Sequence, residues 1–123
     1  MSRIYYVSPV GADPNYSSKR QVLARIASSR EVFFFFPLDH HQTFSVSLAL
    51  NDLRASKLVI ADLSLERPSC YFEVGLAQAT GTPVVLIAAT GTVLHQAGGT
   101  ERVVRYADLT SYQAAVEQAL SHL

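Results

Sequence analysis

A single cysteine, Cys70, rules out any disulfide within the chain and fits a reducing compartment. Charge is also scarce. Only 16 % of residues are charged, and they cancel to a formal net charge of +0. Without a basic surplus, little is available to neutralise a phosphate backbone or an anionic bilayer, so neither nucleic acid nor membrane is an expected partner. Long hydrophobic runs are missing: the apolar runs are strand-sized, well short of the roughly 20 residues that span a bilayer. The N-terminus MSRIYYVSPV lacks a charged segment followed by a long apolar one. No signal peptide is therefore expected, and a cytoplasmic location is. Repeats, linkers and low-complexity stretches are absent, which predicts one domain over residues 1–123. Near-zero charge removes self-repulsion, so a homodimer or larger assembly is expected.

What the sequence does have is hydrophobicity, 49 % of residues, in short recurring runs. Five read as strands: residues 4–10, 32–36, 58–63, 83–89 and 102–106. Val32–Phe36 (VFFFF) reads as a central strand, apolar on both faces and stopped by Pro37. Arg102–Tyr106 reads as an edge. Non-alternating Val/Ile/Phe runs suit a parallel sheet covered on both sides. Helical spacing predicts Ser17–Ser28, with Val22, Leu23 and Ile26 inward, and Leu109–Leu123, with Tyr112, Val116 and Leu120 inward. It also predicts Cys70–Thr80, with Phe72, Leu76 and Ala79 inward and Gly81 as C-cap. Residues 43–55 fit either periodicity and are read as a helix, because parallel strands need a crossover. Alternating strands and helices predict a flavodoxin-like or Rossmann-like three-layer α/β sandwich with a mostly parallel five-stranded sheet. Ligands in such folds sit beyond the carboxyl ends of the strands.

That edge gathers the chemistry. Glu73 is a carboxylate inside the apolar string YFEVGLA, where an ionised group is costly. It either complements a helix N-terminus or serves as a nucleophile or cation stabiliser at an anomeric carbon. Asp62 ends the third strand and points either at a crevice or at its own loop. In SPVGADPNYSSKR, Ser8 and Gly11 precede a helix and offer a weak phosphate cradle without GxGxxG or GxxxxGK[ST]. Arg67 is the least ordinary of the isolated arginines, since its loop lies on the ligand side. His40 and His41 lack a third ligand at metal spacing, so no metal and no cofactor are expected. Cys70 lacks a His/Asp partner at useful spacing and reads as structural.

The stretch LVIADLSLERPSCYFEVGLAQATGTPVVLI resembles one shared by nucleoside 2-deoxyribosyltransferases, 2'-deoxynucleoside 5'-monophosphate N-glycosidases and bacterial TIR-like proteins grouped with them. The matching pieces are Asp62, Pro68, Phe72-Glu73-Val74-Gly75 and Gly81-Thr82-Pro83-Val84. IYYVSPVG is similar to the family's first strand and loop, with Tyr5 at a substrate-contacting position. The resemblance implies that Glu73 is the catalytic glutamate, attacking C1' of a nucleoside or nucleotide. It also implies that Asp62 and Asp52 position substrate or act as acid and base. Tyr5, Ser8, Gly11, Arg67 and Ser69 would then line the substrate side. Gly75 would let its helix lie close to the sheet. Pro9-Val10-Gly11 stands where the N-glycosidases have Ser-Ile-Arg, and Ala49 stands where members place an Asp, with Asp52 about one turn away. A TIR-like NAD hydrolase of antiviral defence and a non-catalytic nucleotide-binding module are the alternatives.

Overall fold

In a computed structural model, which describes residues 1–95 and 98–123, the period-two alternation along the first strand sorts its side chains onto two cores. In β1 (Ser2–Val7), Ile4 and Tyr6 join one hydrophobic cluster while Tyr5 and Val7 join the other. The other strands are β2 (Val32–Phe35), β3 (Leu58–Asp62), β4 (Val84–Ala89) and β5 (Val104–Tyr106). All pair in parallel, in the order β2-β1-β3-β4-β5. The helices are α1 (Tyr16–Ser29), α2 (Pro37–His40), α3 (Val46–Arg54), α4 (Pro68–Thr80) and α5 (Leu109–Leu120). A 3-10 turn spans Thr100–Arg102.

Helices α1 and α5 cover one face of the sheet, packing Val22, Leu23, Ile26, Tyr112 and Val116 on Ile4, Tyr6 and Ile60. On the opposite face, α3 and α4 pack Leu53, Cys70, Val74 and Ala77 on Tyr5, Val7, Val59 and Ala61. Each large apolar side chain buried this way contributes roughly 1.5–3 kcal/mol of transfer free energy. This is the flavodoxin-like three-layer sandwich expected from the alternating runs. The order reverses around β1 and β3, so the crevice of an open α/β sheet opens between the loops that follow those two strands.

Several local expectations are corrected. β2 is an edge strand rather than a central one, because it pairs with β1 alone. Its Phe33 is 41 % exposed, since the helices on that face reach Phe35 but leave Phe33 open. The Pro37 that stops β2 also starts a helical turn, α2, as expected of a residue whose missing N–H is harmless at N1. The ambiguous 43–55 segment is helical from Val46, with the Ser45 hydroxyl accepting from the Leu48 N–H at 3.5 Å. α4 begins two residues early, at Pro68, and its inward stripe is Cys70, Val74 and Ala77 rather than Phe72, Leu76 and Ala79. Phe72 instead stands at the surface, ring against ring with Phe44 at 5.7 Å. Gly75 is exposed as well, and a Cβ there would meet nothing within 4 Å, so close approach to the sheet is not its reason. α5 ends at Leu120, three residues short of the expected end.

Candidate active site

Three segments frame the crevice. The loop after β1 supplies Ser8–Ala12, the stretch after β2 supplies Phe36–Asp39, and the β3–α4 connection supplies Arg67, with Ser69 following at the start of α4. That connection runs through Leu65 (φ 70°) and Glu66 (φ 48°), two successive non-glycine residues in the left-handed region. The cleft holds about 740 Å³, lined by the aromatic Tyr6, Tyr16, Phe36 and Phe44 together with Glu73. At the rim Arg20 donates to Asp39 at 2.8 Å, its guanidinium 3.7 Å from the centre of the Phe36 ring.

Glu73 lies in the second turn of α4, because the helix starts at Pro68, so the helix N-terminus is not its main partner. Its partner comes from β1: Tyr5 Oη donates to Glu73 Oε2 at 2.6 Å. Burial pushes the carboxyl above its ordinary range, and the Tyr5 hydrogen bond pulls against that shift. The Tyr5 phenol is itself pushed far up, by burial first and then by the Glu73 charge, so the shared proton stays on the tyrosine. The result is a half-buried acceptor carboxylate, held by the Tyr5 hydroxyl, in the lining of an aromatic cleft.

Ser8, Gly11, Arg67 and Ser69 share the cleft with Glu73. The Ser8 Oγ is buried and lacks a hydrogen-bond partner among the described residues, an unusual state for a hydroxyl. A Cβ at Gly11 would meet nothing within 4 Å. Arg67 is exposed and forms no ion pair among the described residues.

The two aspartates lie elsewhere. Asp52, on α3, pairs with His41 Nε2 at 3.0 Å and Arg3 at 3.5 Å, lining a small hollow beside the cleft. Asp62 is wholly buried. Its Oδ2 accepts from Lys19 Nζ at 3.1 Å and Tyr106 Oη at 2.8 Å, and its Oδ1 from the Ser64 N–H at 3.1 Å. Neither aspartate lines the cleft. His40 stacks on Phe35 at 4.5 Å. The described residues hold no group of three or more His, Cys, Asp or Glu arranged to take a metal. Burial pushes the Cys70 thiol up to about 12, far from a reactive thiolate.

Sequence reasoning missed Lys19. It is 8 % exposed and also donates to Asp13 and, at 2.7 Å, to Tyr106 Oη. A signal existed: Lys19 precedes Val22, Leu23 and Ile26 by three, four and seven positions, placing it on the inward stripe of α1. The Arg20–Asp39 pair carried no such signal, because it depends on where α2 lands.

No family model and no curated protein matches the chain. Solved structures do. A 2-deoxyribosyltransferase from Leishmania mexicana matches with a TM-score of 0.59 and 25 % identity over 72 % of this chain. The chain spans 65 % of that enzyme's length. The CMP N-glycosidase BcmB from Clostridium botulinum matches with a TM-score of 0.68 and 14 % identity, covering 94 % of this chain and 99 % of that one. The 2-deoxyribosyltransferase from Bacillus psychrosaccharolyticus matches with a TM-score of 0.63 and 17 % identity, covering 91 % and 90 %. These likenesses are of fold, a parallel α/β sandwich. The fold is that of the nucleoside 2-deoxyribosyltransferase-like superfamily.

Proposed function

We propose that this protein cleaves or transfers the N-glycosidic bond of a nucleoside or nucleotide, with Glu73 as nucleophile. The observation that carries the reading is the Tyr5–Glu73 contact: a half-buried carboxylate held by a donor at 2.6 Å in the lining of a roomy aromatic cleft. Partial desolvation raises a carboxylate's nucleophilicity, and the fixed hydrogen bond aims it. One Glu73 oxygen attacks the anomeric carbon as the carbon–nitrogen bond breaks. The electron pair leaves with the base, which takes up a proton from solvent, and a glycosyl ester remains on Glu73. Water or a second base then attacks the same carbon, gives up a proton to solvent, and returns the carboxylate. The aromatic walls suit a planar base, and Ser8, Gly11, Arg67 and Ser69 line the sugar side. Tyr5 orients Glu73. Asp52 and Asp62, both engaged in ion pairs away from the cleft, support the site from outside rather than touching substrate.

The similarity to two 2-deoxyribosyltransferases and a CMP N-glycosidase supports the bond type. The test is incubation with ribo- and deoxynucleosides, their 5'-monophosphates and NAD, followed by chromatography. Free nucleobase from a nucleoside or nucleotide supports the proposal, and exchange of bases distinguishes transfer from hydrolysis. Nicotinamide release from NAD would assign the TIR-like reading instead. Ligand binding without turnover, unchanged in Glu73→Gln, would leave a binding module. The proposal includes self-association, supported by the neutral net charge and by the exposed Phe44 and Phe72, 43 % and 49 % accessible on adjoining segments.

A further inference from the structure

Outside the cleft lining lies a buried polar cluster that the proposed reaction does not use. Lys19 stands in the first turn of α1, and its ammonium meets three segments at once. Asp13 belongs to the loop after β1 and also fixes the Asn15 N–H at 2.8 Å. Asp62 ends β3 and holds the Ser64 N–H. Tyr106 ends β5 and bonds Lys19, Asp62 and the Ser64 hydroxyl, which in turn takes the Ala89 N–H of β4 at 2.8 Å. Burial pulls the lysine down, but Asp62, Asp13 and Tyr106 outweigh it and hold the ammonium above the ordinary lysine range. A buried charge with three fixed acceptors tolerates little displacement, because losing any one of them leaves polar groups unpaired.

The loops after β1 and β3 that this ammonium joins each lead into a part of the cleft lining, the rest of which comes from α1, Phe36–Asp39 and Phe44. Asp13 follows directly on the Ser8–Ala12 wall, and Ser64 leads through the left-handed turn to Arg67 and Ser69. We propose that Lys19 is a positioning residue: through Asp13 and Asp62 it sets the spacing between these two walls of the cleft, and ligand affinity depends on it although it touches no ligand. The affinity part rests on the cleft being the substrate site. The wall-spacing part stands on the hydrogen bonds alone.

The test uses the double variant Lys19→Met/Asp62→Asn, which removes the cation and one of its two anions and leaves Asp13 as the one remaining charge of the cluster. Asp13→Asn serves as a second variant that frees only the first wall. In amide hydrogen exchange, the double variant should speed the Ala12, Asp13 and Ser64 amides by about tenfold or more, with β1 and β3 amides unchanged. Asp13→Asn should speed Ala12 and Asp13 while sparing Ser64. With a nucleotide that the wild type cleaves, KM should rise by about tenfold while kcat stays within about twofold. Uniform acceleration through β1 and β3, no acceleration at all, or an unchanged KM would overturn the proposal. Should the wild type cleave none of the compounds tried, the failure belongs to the enzymatic reading, and the exchange pattern decides the positioning role by itself.

Discussion

At the scale of single residues, the site depends on a disagreement between burial and charge. Burial raises the Glu73 carboxyl and the Tyr5 hydroxyl lowers it, so the carboxyl is charged only above an elevated pKa. Tyr5→Phe removes the lowering contact. The acid limb of the pH–rate profile should therefore move to higher pH, read from kcat/KM across a pH series. The linkage has a fixed sign. With its folded pKa above 4.5, the native state binds more protons than the unfolded chain, so Glu73 costs stability as pH rises through that window and above it. Glu73→Gln should therefore melt a few degrees higher at pH 7, with the gain fading below the unfolded carboxylate range, while turnover falls by about a thousandfold or more. Calorimetry and chromatography on the same sample check both halves. Glu73 was legible from sequence because a carboxylate in an apolar string is an anomaly. The surroundings of Asp62 were not legible, since its cation arrives from 43 residues upstream across a packed helix–sheet interface.

At the scale of elements, the strands were readable and the helix faces less so. In α4 the stripe Phe72, Leu76, Ala79 and the true stripe Cys70, Val74, Ala77 are both apolar at helical spacing, and hydrophobicity alone does not choose between them. What chooses is the start at Pro68 and the pull of Tyr5 on Glu73, which turn Phe72 outward. The VFFFF run misled for a related reason: a strand apolar on both faces need not be central when a ring such as Phe33 is left open at the sheet edge. Gly81 was read correctly, since it takes the left-handed C-terminal position with φ 77°. Gly81→Ala should cost about 1 kcal/mol, seen as a lower urea midpoint at constant m-value. Leu53→Ala, which empties the fully buried contact between α3 and the sheet, should cost about 3 kcal/mol in the same assay.

At the scale of the whole molecule, topology decides where chemistry can occur. Sequential alternation of strands and helices predicted the sandwich, but the order β2-β1-β3-β4-β5 was not in the sequence, and that order sets the carboxyl ends of β1 and β2 side by side, where with the start of α4 they line the cleft. Self-association belongs to this scale too. Sedimentation should find a species larger than the 13.4 kDa monomer, and Phe72→Asp should return it to a folded monomer. The turn at Leu65 and Glu66 carries a consequence for the protein's improvability. Side chains that resist the left-handed backbone hold a conformation their own sterics disfavour, so a selection for heat resistance would find asparagine at either position an easy gain. If such variants outlast the parent on heating yet work more slowly, the tension in that turn is something the protein uses.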